Sequence, residues 1–496
     1  MSTGRLARSL LTGAPFRLRL VRLAALSRIE VRGIVGNRVA GRATRGEIGP
    51  QRSLSDVATR HGRSRVRRED AADISDWEMK GEMMMQDLPV ELRRAILQRL
   101  PLAELKNTRL ACKSLALLGE DYLIPSLFTS LPHLPDTQRL ECISQNPKYA
   151  NSVRQLVLNH GEVNEYSARH NSYFLQYLME PEARLEQQHL TWSAYTHFKT
   201  LKETHLPASC DPSRLIPIFA RLSRLTSISI TLMSCPFPAR HPNTPHLLPE
   251  IWSFPSTRLL NRVATVERAS AVLSSVSVSS LAIASFKHDR LPFEFFVQKP
   301  ALMETFRSAF RALGTLELAL EYSDMPNNMH ADLAFSNLGK CIQAAPLLQH
   351  LEIAMLGRRK IDIRPLLSLL AERDAGLQYL ESFKLQGVIT TEDSLSEFLL
   401  SLGSSLARAH LGGEGVRSSR QPSNGGVFLE SGRWSSLAGR LGTEMAGVEV
   451  WVQGDLKELE SGQIWIFDAP VGIGEFERLS GGVGEDWYET GDESSI

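Results

Sequence analysis

The chain has 496 residues, 43% of them hydrophobic and 22% charged, with a net charge of +1. It is longer than one typical domain, long enough to bury a sizeable core, and its charge balance gives no global case for nucleic acid as a partner. Cys112, Cys142, Cys210, Cys235 and Cys341 are odd in number and contain no C-x-x-C pair, which reads as free thiols in a reducing compartment; no apolar run of 18 or more residues predicts a membrane span.

Residues 1–78 form a basic leader. Arg5, Arg8, Arg17, Arg19, Arg22 and Arg28 alternate with Leu and Ala, Lys is absent over the first 46 residues, and one acidic residue, Glu30, precedes Glu47. That is the composition of a mitochondrial transit peptide. The run from Arg63 to Arg68 would also suit a nuclear address or a nucleic-acid arm. Two further readings stay open: a disordered tail, and untranslated sequence ahead of a start near Met79 or Met83.

Residues 79–130 are punctuated for short helices. Asp87 is a candidate cap and Pro89 suits a first helical position. Leu88, Leu92, Ile96 and Leu100 recur every four residues on one face, and Pro101 ends that helix. A second helix spans Leu102 to Ala111 with Leu102, Leu105 and Leu110 inward. A third carries Leu115, Leu118, Tyr122 and Leu123 and stops at Pro125. Helices this short are at or below the roughly 12–15 residues at which an isolated helix is marginal, so they must pack on each other and on a partner.

Leu88-Pro89-Val90-Glu91-Leu92, then Ile96, Leu100, Pro101, Leu105 and the run Arg109 to Ser114, resembles an F-box of the variant common in filamentous-fungal proteins. Leu115 stands where many F-boxes carry Trp. The resemblance covers under a tenth of the chain. It implies docking on the Skp adaptor, and through it a cullin, by Leu88, Pro89, Ile96, Leu97, Leu100, Leu105 and Leu110. Such an interface would bury on the order of 1,200–2,000 Å².

Residues 131–470 repeat an apolar-x-x-apolar-x-apolar pattern. It occurs at Val153-Leu156-Leu158, Leu225-Ile228-Ile230, Val278-Leu281-Ile283, Leu313-Leu316-Leu318, Leu348-Leu351-Ile353, Leu380-Phe383-Leu385 and Leu406-Ala409-Leu411. The last two apolar positions alternate as in a strand, and helix-like stretches (Leu215–Leu222, Met303–Leu313, Leu333–Ala345, Ile363–Ala371, Ser394–Leu402) separate them. Strand then helix at intervals of 35, 35, 32 and 26 residues reads as a degenerate leucine-rich-repeat-like solenoid. The Asn or Cys of the regular family is replaced by Gly161, Met233, Leu356 and Val388, so an ordinary mixed α/β domain is the alternative. Val448–Val452 and Gln463–Phe467 read as closing strands, and residues 471–496 as an acidic, Gly-rich tail.

Residues 162–206, rich in aromatics, read as a helical excursion on the strands. Pro236–Pro255 and Gly412–Gly426 read as loops. No G-x-S-x-G, H-E-x-x-H, Walker A or G-x-G-x-x-G motif occurs, and no His pairs with Cys or another His at metal-ligand spacing. The expectation is a non-enzyme without cofactor or metal. Its fold would be an α+β or α/β repeat, a three-helix F-box followed by an irregular leucine-rich-repeat-like solenoid. Its function would be that of a substrate-recognition subunit of a Skp–cullin–F-box ubiquitin ligase, in cytoplasm or nucleus, holding an unidentified client protein on the repeat region. The alternative is a protein-interaction scaffold outside any ligase, mitochondrial if the leader is a transit peptide.

Overall fold

The computed structural model describes residues 88–170, 172–175, 180–237, 248–252, 261–322, 328–357, 360–372, 376–403, 405–414 and 425–481. The leader, its alternative start methionines, Asp87, Tyr177, most of the Pro-rich and Gly-rich loops and the tail beyond residue 481 lie outside the described residues. Two compact units divide at Pro125/Ser126.

The first unit contains helices α1 (Val90–Leu97), α2 (Leu102–Ala111) and α3 (Lys113–Glu120). Pro89 and Pro101 occupy the N-cap positions of α1 and α2, and Cys112 caps α3, its Sγ accepting from the Leu115 backbone N–H at 3.4 Å. Leu97, Leu105 and Leu115 form the shared interior, and Leu100, Leu118, Tyr122 and Leu123 pack around it. The inward assignment of α2 is corrected: Leu105 is buried, but Leu102 is 39% and Leu110 81% exposed. Five residues of helix separate Leu105 from Leu110, a rotation of about 140°, so the two cannot share one narrow interior.

The second unit is built on one sheet. In chain order its strands are β1 (Leu127–Ser130), β2 (Gln155–Asn159), β3 (Ser227–Thr231), β4 (Ser285–Pro292), β5 (Thr315–Glu321), β6 (His350–Leu356) and β7 (Ile361–Asp362). There follow β8 (Ser382–Gln386), β9 (Val388–Thr390), β10 (Arg408–Gly412), β11 (Val427–Leu429), β12 (Glu449–Glu458) and β13 (Ile464–Gly472). The hydrogen-bonded order is β1-β2-β3-β4-β5-β6-β8-β10-β12-β11-β9-β7. Every pair is parallel except β12–β13, which is antiparallel.

Register aligns the apolar positions. Phe128, Leu156, Ile228, Phe286, Leu316, Leu351, Phe383, Ala409 and Val450 lie side by side across nine strands, each at most 4% exposed. Helices cover this face. Phe286 packs on Phe310 of the helix Pro300–Phe310, and Phe383 meets Phe398 of Glu392–Leu402 edge-on.

A three-helix F-box leading into an irregular leucine-rich-repeat-like solenoid is therefore not the architecture. Among the described residues the body is an α/β fold on one continuous thirteen-stranded sheet. Its connections are irregular, one of them carrying a helix as long as Pro181–His205, and it ends in an antiparallel pair. With no recurring Asn or Cys to stabilise a tight turn, hydrogen bonding between strands organises these units.

The strand expected at Val278–Ile283 lies instead at Ser285–Pro292. The helix Arg262–Val278 takes only the first residue of that pattern, burying Ala269, Val272, Leu273 and Val276 ahead of it, and Ser280 turns the chain with φ 56°. The strands expected at the end form as β12 and β13. Residues of the expected tail form the end of β13 and the helix Ile473–Gly481, whose Phe476 is buried against Trp434, Trp465 and Phe467. Within the expected Pro-rich loop, Leu248–Trp252 is a short helix.

Glycines let the sheet continue past a bend. Gly387, Gly412 and Gly454 have φ of 80°, 91° and 77° at the ends of β8 and β10 and within β12. A Cβ on Gly412 would lie 1.9 Å from the Gln453 carbonyl oxygen. Beyond the bend β7, β9 and β11 form a second short parallel ladder that joins the far half of β12.

Candidate functional site

Parallel sheets are ordinarily covered on both faces. Here the residues between the buried apolar pairs reach solvent or stay half-buried, so the face opposite the helices is open. The strand period of two dictates which residues line it. One row runs Lys287, Glu317, Glu352, Lys384, His410 and Trp451 across β4, β5, β6, β8, β10 and β12. Beside it runs Ser285, Thr315, His350, Ser382, Arg408 and Glu449. Residues of these two rows and Pro470 of β13 line a groove of about 780 Å³.

The cations of the first row are paired. Lys287 bonds Glu317, and Lys384 bonds Glu352 at 2.8 Å. Both pairs are about one-third to one-half exposed, so each contributes on the order of 0–1 kcal/mol and serves mainly to orient side chains. The bond to Glu317 raises the Lys287 pKa. Burial, reinforced by Lys384, holds the His410 imidazole below its ordinary value. Arg408 and Glu449 are exposed register neighbours without a salt bridge to each other or to another described residue. Trp451, 40% exposed, is the large aromatic of the groove floor.

A second cavity, of about 500 Å³, lies beside the helix Pro181–His205. Glu162 accepts from Lys202 at 2.7 Å and faces Arg268 at 3.9 Å. Cys210 lines this cavity, its Sγ 3.8 Å from Nε2 of the buried His160. A nucleophilic dyad would need a thiolate and a base able to take the proton. Burial pushes the Cys210 thiol up. The same desolvation, aided by Arg268, His288 and Lys202, holds His160 down to about 3. Both shifts favour the neutral forms, the opposite of what a thiolate–imidazolium pair needs. Among the described residues no group of three His, Cys, Asp or Glu side chains could hold a metal ion, and no helix is long and apolar enough to cross a membrane.

The residues expected to dock on an adaptor divide among three environments. Leu97 and Leu105 are buried in the interior of the first unit; Leu88, Ile96 and Leu100 are half-buried; Pro89 and Leu110 are exposed. Leu117 of α3, not singled out from the sequence, is 70% exposed. Among the histidines, His160 and His288 are buried and His350 lies on the open sheet face. The groove residues do not stand out in the sequence, where the apolar positions carry the pattern. Their signal is the single residue inside each apolar-x-apolar pair: Glu317, Glu352, Lys384, His410 and Trp451.

No protein-family model matches the chain, and no curated protein matches it.

Proposed function

We propose that this chain is a substrate-recognition subunit of a Skp–cullin–F-box ubiquitin ligase, acting in cytoplasm or nucleus. The helical segment 88–125 docks on the Skp adaptor, and the open sheet face receives a client protein. The reading is supported by the F-box-like order of residues from Leu88 to Ser114, and one observation carries it: Leu110 is 81% and Leu117 70% exposed on short helices whose shared interior, among the described residues, holds three buried leucines. Exposed leucines on so small a unit suit burial in a partner. The ligase subunit itself performs no bond chemistry; it supplies proximity between a client lysine and the charged enzyme of the complex.

Co-purification of the full chain with a Skp adaptor tests this, beside a chain lacking residues 83–128 and the point variant Leu110→Asp. Leu110 is a surface position, so the variant leaves the helical interior intact, while an unpaired charge in an apolar contact should weaken capture at least tenfold, about 1.4 kcal/mol. Capture by the full chain alone is the expected result. Capture of none would remove the ligase and leave a protein-interaction scaffold that uses the sheet face.

A further inference from the structure

We propose that the groove over β8, β10 and β12 binds an extended partner segment carrying an acidic side chain next to an apolar one. The carboxylate goes to Arg408 and the apolar side chain to Trp451 and Pro470. This deepens the client-binding half of the proposed function and rests on it.

The unpaired guanidinium makes the choice of occupant. Lys287 and Lys384 are already held by Glu317 and Glu352, which leaves Arg408 as the exposed cation of the groove without a salt-bridge partner among the described residues. On one side its register neighbour is Ser382, with His350 beyond; on the other it is Glu449. Ser382 and His350 add polar groups that tolerate or donate to a carboxylate, while Glu449 repels one, so the acid enters from the β8 side. Guanidinium suits the task because its planar fork matches a carboxylate.

Two residues along the same faces of β10 and β12, His410 and Trp451 are register partners, and Pro470 bounds the groove. An indole 40% exposed on a strand is a rigid apolar anchor of the kind that dominates binding energy at interfaces. The strand spacing sets the ligand geometry. Arg408 and Trp451 are one strand and two residues apart, a diagonal of roughly 8 Å, which adjacent or next-but-one side chains of an extended peptide can span.

The test is panning a phage-displayed random dodecapeptide library on the immobilised full-length chain, then measuring the enriched peptides by fluorescence anisotropy. Enriched sequences should carry Asp or Glu within two residues of an apolar side chain. Arg408→Glu should weaken them roughly five- to tenfold, Trp451→Ala comparably, and Glu449→Gln should strengthen them. All three substitutions are at exposed positions, and an unchanged circular dichroism melt verifies the fold. Basic sequences, binding indifferent to Arg408→Glu, or no enrichment would each overturn the proposal. Adaptor capture is read separately, so a failed ligase reading and a failed groove reading give different results.

Discussion

Acid should destabilise the sheet body through two histidines it buries as neutral imidazoles. His160 is 2% and His288 1% exposed, and burial holds each down to about 3 from an ordinary 6.5. Lys202 and Arg268 add to the shift at His160. His288 lies on the buried face of β4, in register between Ile230 of β3 and Leu318 of β5; its Nδ1 accepts from the Arg290 backbone N–H at 3.2 Å and its Nε2 has no partner among the described residues. Below pH 6.5 the unfolded chain takes up a proton at each site, and the folded chain does not until pH approaches 3. Stability is therefore full above 6.5 and is lost as pH falls through that window. At about 1.4 kcal/mol per unit and per proton, going from about pH 6.5 to about pH 5 costs on the order of 2 kcal/mol for each histidine. The sum, about 4 kcal/mol, is a large part of a typical domain stability of about 5–15 kcal/mol. Urea denaturation at fixed ionic strength measures it, followed by tryptophan fluorescence, since the described tryptophans, Trp192, Trp252, Trp434, Trp451 and Trp465, all lie in the second unit. His288→Leu should lower stability at about pH 7.5 by about 1–3 kcal/mol, because the Arg290 N–H loses its acceptor, yet remove about half of the pH dependence over the acid interval. An unchanged pH dependence in the variant, or a flat wild-type profile over that interval, would refute the reasoning.

Two structural predictions follow from the packing. Leu105→Ala should cost about 2–5 kcal/mol in the first unit, since it opens a cavity among three buried leucines; loss of protection at the amides of α1–α3 in hydrogen exchange, with the sheet amides unaffected, is the expected readout. Gly412→Ala should lower the urea midpoint of the second unit by the equivalent of at least about 2 kcal/mol. The residue sits at φ 91° with its would-be Cβ 1.9 Å from the Gln453 carbonyl oxygen, and a midpoint within error of wild type would contradict that account of the bend.

Much of the local structure was legible in the chain. Pro89, expected at a first helical position, stands one residue earlier at the N-cap of α1, and Pro101, read as the end of α1, is also the N-cap of α2. The pairs Leu316/Leu318, Leu351/Ile353 and Phe383/Leu385 announced strands with one buried face, and each pair is buried on one face of its strand. Where two local patterns competed, the chain was ambiguous: Val278–Ile283 fits a strand period, but Val278 closes the preceding helix, Ser280 turns the chain, and the strand forms from Ser285. Leu110 could not be oriented from spacing alone, since a helix turns every leucine toward some direction and only the packed neighbours decide which direction is inside.

What the amino-acid sequence determined by itself was periodicity: which residues alternate, where proline and glycine interrupt, and hence the short helices and the one-sided strands. What only the tertiary structure decided was adjacency. Arg408, Trp451 and Pro470 meet at one groove, and Glu162 meets Lys202 and Arg268, because hydrogen bonds and packing join segments tens of residues apart. Side-chain direction is set within a few residues by backbone geometry, whereas the neighbour of a strand is chosen by the free energy of assembling the whole sheet, which no local window of the chain contains.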